Sequence, residues 1–342
     1  MSRTLIIGDI HGCYHELLDL LDRAALTDDD LLLSVGDLVD RGPLPSEVVA
    51  LFRARKQSLV LCGNHERKHI RGVYSYSQQV CRLQMGATYD DDVRWMATLP
   101  YHYETPEVRV VHWGLYPGVP LDEVPEDVRA GTSSGDAKLR ERYGDRPWYE
   151  LYTDETPVVF GHAVVGAEPL IRDDRIYGLD TGACHGMRLT GLLLPERRIV
   201  SVPARADHWA SVRRDWQGPV LRTYPWASMT FEQIHKKLKS LRDPELDEAY
   251  VLGVGRWADQ VRGLLPALAD SLDAEVVRTQ AAHPDDEVPR ILAAHAAGSW
   301  LLRRRQGRLS SEHLGCSTPE QVLTLAQALG VSASAVAAGP VP

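Results

Sequence analysis

Only five cysteines occur in 342 residues, an odd number at irregular spacings, with no CxxC pair and no export signal ahead of them. No disulfide framework follows from such a set, and a reducing cytoplasm is the compartment it fits. No stretch approaches the roughly 18 consecutive apolar residues that span a bilayer, which excludes membrane spans. The opening Met1-Ser2-Arg3-Thr4-Leu5-Ile6-Ile7 carries an apolar run too short for a signal peptide and reads as a first buried strand. A basic excess is also missing: 38 Lys and Arg stand against 47 Asp and Glu, a net charge of −9. Nonspecific phosphate binding needs a basic face, so a general nucleic-acid coat is disfavoured, while phosphate held through metal ions is not. The acidic excess lies wholly within the first 210 residues. No internal repeat occurs.

What is present is the profile of a soluble globular protein, 44% hydrophobic and 25% charged, long enough for two domains. Short apolar runs predict strands at 4–8, 31–36, 58–62, 108–112, 157–161, 175–179, 189–194 and 198–203. Leu17, Leu18, Leu20, Leu21 and Ala24 follow helical spacing between the first two, and Val48, Val49, Leu51 and Phe52 before the third. Strand and helix alternating in this way begin a parallel α/β sheet. The later strands follow one another closely, which predicts a second, mixed sheet packed on the first and a two-sheet sandwich flanked by helices. The expected division is a catalytic domain over 1–205, a linker over 206–228 with Trp209, Trp216 and Trp226 among Arg, Pro and Gly, and a mostly α-helical appendage over 229–342. There Thr230 and Gln233 form a capping box ahead of Ile234, Leu238 and Leu241 on one face, and Thr318-Pro319-Glu320 starts a helix that Gly330 can close. Residues 332–342 are small and uncharged and read as a frayed end.

Chemistry gathers where the strands end. The first delivers Gly8-Asp9-Ile10-His11-Gly12, the second Gly36-Asp37-Leu38-Val39-Asp40-Arg41-Gly42, and the third Gly63-Asn64-His65-Glu66. Asp9 to Asp37 is 28 residues and Asp37 to Asn64 is 27, one βαβ step each, so these turns emerge at one edge of a parallel sheet. Val111-His112-Trp113-Gly114 and Phe160-Gly161-His162 bring two imidazoles to the same edge. Two Asp, one Asn and three His are oxygen and nitrogen donors without thiolate, suited to Mn²⁺, Fe, Zn²⁺ or Ni²⁺ rather than to copper or an iron–sulfur cluster. The natural assignment gives Asp9 and His11 to one ion, Asn64, His112 and His162 to a second, and Asp37 to both. Two divalent ions roughly 3.5–4 Å apart lower the pKa of a bound water towards about 7, which makes hydroxide on the metals the nucleophile for an in-line displacement.

These residues, GDxHG, GDxxDRG, GNHE, a later His before Gly, and Gly-His, resemble the calcineurin-like metallophosphoesterases, in particular the phosphoprotein-phosphatase branch, over about 4–203. The resemblance implies a dimetal hydrolase on a sandwich fold, with Mn²⁺ the first expectation. It also implies His65 as the general acid that protonates the leaving oxygen, Asp40 as the carboxylate that orients it, and Arg41 as a planar fork for the phosphate's non-bridging oxygens. A second clamping arginine is implied from the connecting region, where Arg142 and Arg146 are both candidates. Asp180-Thr181-Gly182-Ala183-Cys184 resembles the DTG turn of nucleotide-hydrolase and polynucleotide-phosphatase relatives, which makes Asp180 a support behind the ligands. Cys184 has no partner to make it a nucleophile, and Trp113 reads as core.

The expected function is hydrolysis of a phosphomonoester on protein, nucleotide or RNA end. The alternatives are a symmetrical diadenosine-tetraphosphate hydrolase, and a non-catalytic binding or regulatory protein that uses the helical appendage. Arg303-Arg304-Arg305 with Arg308 reads as a solvated helix end, and the sequence carries no indication of oligomeric state.

Overall fold

The strand β1 (Thr4–Ile7) is buried on both faces, which is why its apolar run shows no alternation. Leu5 and Ile7 pack with Leu17 and Leu20 of α1 (Tyr14–Ala24) and Val48 and Phe52 of α2 (Pro45–Ala54). Ile6 points the opposite way, into a layer with Val110, Val159 and Tyr177 of a second sheet. Fully burying such a side chain stabilises the fold by roughly 1.5–3 kcal/mol, so the central strand alone strongly commits this segment to the interior.

The computed structural model describes residues 3–240 and 248–333. In the first sheet β1 pairs in parallel with β2 (Leu31–Ser34), which pairs in parallel with β3 (Ser58–Val60). From β3 the chain enters three helices, α3 (Asn64–Ile70), α4 (Tyr76–Met85) and α5 (Tyr89–Met96). The second sheet is built from β4 (His102–Glu104), β5 (Arg109–Val111), β6 (Val158–Phe160), β7 (Leu170–Arg172) and β8 (Ile176–Gly178), in the order β4-β5-β6-β8-β7. Its β5, β6 and β8 are parallel, with antiparallel strands at both edges. Its outer face is covered by residues around Trp148, by α6 (Glu126–Arg129) and by α7 (Ser133–Tyr143). The chain then returns to the first sheet as β9 (Arg188–Leu194) and β10 (Arg198–Pro203), giving the order β10-β9-β1-β2-β3.

Two mixed sheets flanked by helices are the expected architecture. All eight expected strands are present to within two residues at each end. The strands β4 and β7 were not expected, since each is a three-residue edge strand, His-Tyr-Glu and Leu-Ile-Arg, without an apolar run. Edge strands pair on one side only and are often kept very short, which leaves little apolar pattern to read.

The chain divides into two compact units at Val220. Residues 206–228 carry α8 (His208–Asp215), α9 (Gln217–Arg222) and a short turn of 3-10 helix, so the segment expected as a linker is mostly helical. The second unit is helical, as expected, from α10 (Phe231–Ser240), α11 (Glu248–Arg262), α12 (Leu265–Ala282), α13 (Val288–Ala294), α14 (Gly298–Arg305) and α15 (Ser311–Gly315) to α16 (Pro319–Leu329). Its core gathers Trp226, Trp257, Leu268 and Leu301, with Leu264, Leu265 and Trp300 packed around it. Thr230 and Gln233 exchange their capping bonds at 2.9 and 3.3 Å, and Gly330 closes α16 at φ +69°. Leu241, expected on the face of Ile234 and Leu238, and 334–342 of the expected frayed end lie outside the described residues. Among the described residues no helix is long and apolar enough to cross a membrane.

Candidate active site

The parallel strands β1, β2 and β3 end on one side, as do β5 and β6, and their turns bring Asp9, His11, Asp37, Asn64, His112 and His162 together. His11 Nε2 lies 3.6 Å from Asp37 Oδ2 and 4.0 Å from Asp9 Oδ2. On the other side of Asp37, His112 Nε2 is 3.5 Å from Oδ1, and Asn64 Oδ1 sits 3.1 Å from His112 Nε2 and 3.0 Å from His162 Nδ1. Asp37 thus belongs to two donor groups, one with His11 and His65 and one with His112 and His162, each with its donor atoms within 4.8 Å of one another. Asp9 faces the same basin and accepts from the His162 backbone N–H at 3.0 Å.

The donors fit divalent cations. Val39 O accepts from His11 Nδ1 at 2.8 Å and Val35 O from His112 Nδ1 at 3.1 Å, which leaves the Nε2 lone pairs turned to the cluster. His112 Nε2 and Asn64 Oδ1 then meet as two acceptors with no proton between them, a repulsion that a cation relieves. Burial lowers the pKa of His11 and His112 and brings His162 down to about 3, so these rings are neutral, the form that ligates metal. Burial, then Asp180 and Asp37, raises the Asp9 carboxyl well above its ordinary value, and burial pushes Asp180 up to about 6. Buried carboxylates crowded together in this way lack positive charge. The turns also leave space only for glycine: a Cβ on Gly63 would lie 2.2 Å from Asp37 Oδ1, and one on Gly161 2.1 Å from Asp9 Oδ1.

Five residues here adopt positive φ without being glycine: His11, Asp37, Asp40, Arg41 and His162, at +46°, +52°, +70°, +62° and +68°. Left-handed backbone costs roughly 1–2 kcal/mol per residue, so neighbours must hold the turns. Glu66 does this for Asp37. Fully buried, it accepts from the N–H groups of Asp37, Leu38 and Gly63 at 2.9, 2.8 and 3.0 Å. Its role is structural and was not foreseen, although Gly63-x-x-Glu66 is a capping-box spacing.

His65 Nδ1 hydrogen-bonds Asp40, whose carboxylate also takes a bond from Gln78 Nε2 and meets His69 Nε2 at 3.0 Å. Burial would raise the Asp40 carboxyl, but the imidazoles of His65 and His69 outweigh it and hold the group well below the ordinary carboxylate range. Tyr89 Oη, 3.0 Å from His69 Nδ1, extends the chain. His69, Gln78 and Tyr89 carry no sequence signal, because they lie on α3, α4 and α5 outside any motif. Arg41 faces the basin, with Nη1 3.0 Å from His11 Nε2 and Nη2 3.1 Å from His65 Nε2.

The remaining sequence candidates fall differently. Asp180 is buried beside Asp9 and accepts from Gly182 N–H at 3.0 Å, behind the donors. Arg142 stacks on Tyr116, 4.6 Å from the ring centre, and bonds Tyr143 Oη at 3.0 Å, while Arg146 is exposed; neither has a contact with the six donors among the described residues. Burial pushes the Cys184 thiol up to about 12, so it stays protonated. Trp113 packs edge-on to Phe160 and Trp148 in the core, and its ring also lies 5.1 Å from that of His162.

Residues 2–182 match the family described as calcineurin-like phosphoesterases. The chain is 30% identical over 244 residues to the asymmetrical bis(5'-nucleosyl)-tetraphosphatase PrpE of Halalkalibacterium halodurans, covering 62% of this chain and 98% of the relative. It is 26% identical over 271 residues to the symmetrical bis(5'-nucleosyl)-tetraphosphatase of Erwinia tasmaniensis, covering 60% of this chain and 98% of the relative. A crystal structure provisionally named a diadenosine tetraphosphatase is similar with a TM-score of 0.50 and 29% identity, covering 59% of this chain and 94% of that one.

Proposed function

The chain belongs to the calcineurin-like phosphoesterases, a family of metal-dependent phosphate-ester hydrolases, and on that premise we propose that it cleaves nucleoside polyphosphates at the basin between the strand ends. Asp9 and His11 would hold one divalent cation and Asn64, His112 and His162 another, with Asp37 shared. The observation that carries this reading is the double membership of Asp37, whose two carboxylate oxygens face opposite donor groups. Cations bound there, manganese by our reading, supply Lewis acidity to the phosphoryl oxygens and acidify water for attack.

Arg41 offers two parallel donors to the phosphate's non-bridging oxygens and aligns the ester for displacement. His65, fixed through Nδ1 by Asp40, presents Nε2 to the leaving oxygen and transfers a proton to it. Asp40 remains ionised because His65 and His69 flank it, so it holds the imidazole in one orientation. Nucleoside polyphosphates are favoured over phosphoproteins by the activity for which both bacterial relatives are named.

The test is hydrolysis with Mn²⁺ of diadenosine tetraphosphate, a phosphopeptide, 3′-phosphorylated RNA and 4-nitrophenyl phosphate, alongside metal analysis. Diadenosine tetraphosphate should give the highest kcat/KM. Asp37→Asn should lose about 10³-fold or more in rate together with metal content. Full metal occupancy and full rate in that variant would remove the basis of the assignment.

A further inference from the structure

The three cations that follow Asn64, two on α3 and Arg71 at its C-cap in helical conformation, have no place in the chemistry above. Asn64, Arg67, Lys68 and Arg71 stand at i, i+3, i+4 and i+7, so they share one helix face that begins with a metal donor. That face lines a cavity of about 360 Å³ together with His162 and the start of α7, a size typical of small-molecule sites. We propose that this cavity is the subsite for the phosphates adjoining the scissile one, so that the enzyme recognises a polyphosphate chain rather than an isolated phosphoester. The proposal rests on the phosphoesterase reading above and adds the residues that select the substrate.

Charge and partnering support it. Lys68 and Arg71 make no side-chain hydrogen bond or ion pair with any described residue, in a protein whose net charge is −9. Arg67 is buried and positioned by Tyr101 Oη at 2.6 Å and Glu126 at 3.2 Å, yet its Nε has no partner. Asp136 is the one carboxylate of the lining, and it is already engaged by Trp113 Nε1 at 2.9 Å. Apart from the imidazole of His162, which the reading above gives to a metal, the lining has no aromatic ring to stack a base, and Val73 is its one large apolar side chain, so its chemistry is that of an anion site. From Asn64 to Arg71 the helix advances about 10 Å, a path that keeps positive charge beside successive phosphates starting at the reacting one. A phosphopeptide carries its neighbouring carboxylates at least a residue away and does not match this continuity.

The experiment compares the wild type with the Lys68→Ala/Arg71→Ala double variant and with Lys68→Arg. Calorimetry with tripolyphosphate and with orthophosphate, each with Mn²⁺ present, reads the subsite without turnover. Loss of two charge-assisted contacts should weaken tripolyphosphate about tenfold or more and orthophosphate several-fold less, with Lys68→Arg close to wild type. In turnover, kcat/KM for diadenosine tetraphosphate should fall at least tenfold further than for 4-nitrophenyl phosphate, mainly through KM. Equal weakening of both anions, an equal fall on both substrates, or a fall confined to an acidic phosphopeptide would each overturn the proposal. A wild type that turns over no phosphoester would instead refute the phosphoesterase reading, and the tripolyphosphate measurement would still decide whether the subsite exists.

Discussion

Replacing Glu66 with alanine should unfasten the turn that carries Asp37. The substitution removes the acceptor for three backbone N–H groups, from Asp37, Leu38 and Gly63, at 2.8–3.0 Å inside a fully buried site. A charge-assisted hydrogen bond contributes about 1.5–3 kcal/mol, and a neutral one about 1. Burial, with Asp37 close by, pushes the Glu66 carboxyl up to about 8, so its charge is costly to maintain and the lower end of the range applies. Three bonds at roughly 1–1.5 kcal/mol each give a destabilisation of about 3–5 kcal/mol. For a unit of this size each kcal/mol shifts the midpoint by about 2–4 °C, so the melting temperature of the catalytic unit should fall by about 10 °C. With its anchor gone, Asp37 relaxes from φ +52° and its two oxygens no longer face both donor groups. Manganese affinity should therefore drop along with activity, by about 100-fold in kcat/KM. Glu66→Gln, which keeps one acceptor oxygen, should fall between the two. Thermal melts and a manganese titration read both effects. An alanine variant that melts within about 2 °C of wild type and binds manganese within about twofold of it would refute the reasoning.

Two further outcomes test other parts of the molecule. His65→Ala should keep its metal content and lose about 10²–10⁴-fold on a substrate with a basic leaving oxygen, but far less on 4-nitrophenyl phosphate, whose leaving group needs little protonation; equal losses on both would remove His65 from the role of acid. Glu16, buried on α1, accepts from Arg205 N–H at 2.9 Å and pairs with His208 at 2.8 Å; burial alone would raise its pKa, but these partners bring it down to about 2. Because the folded value lies below the unfolded one of about 4.5, this stabilisation is complete above pH 4.5 and is lost as pH falls towards 2. Melts of wild type and Glu16→Gln should therefore differ most above pH 5, draw together as pH falls and converge only below about pH 2, and a gap that widens in acid would contradict the pairing.

The parts legible in the sequence are those written locally. Each of Asp9, Asp37, Asn64, His112 and His162 follows a buried apolar run, and glycines at 8, 36, 63 and 161 mark the turns, so strand, turn and donor could be read together. The edge strands β4 and β7 were illegible because each is only three residues long, His-Tyr-Glu and Leu-Ile-Arg, too short for an apolar pattern to stand out. His69 and Gln78 reach Asp40 from helices dozens of residues away, a relation that exists only after folding. For the second clamping arginine the family resemblance offered Arg142 and Arg146 from the connecting region, and in the fold Arg142 lies on Tyr116 and Tyr143. The helices within 206–228 were not legible from composition, although Asp207 caps α8 by accepting from Ala210 N–H at 3.0 Å.

The position of β1 between β2 and β9 bears on how the protein is made. A ribosome adding about 5–20 residues per second produces Arg188 roughly 10–40 s after the first strand is finished. Throughout that interval Leu5, Ile6 and Ile7 present a bare strand edge, the kind of surface that pairs with other chains. A nascent chain halted just after His162 would already contain all six candidate metal donors yet be prone to aggregate, because the hairpin of β9 and β10 covers the β1 edge and carries none of those six residues. Cover for the β1 edge thus comes from a segment that carries none of the six candidate donors.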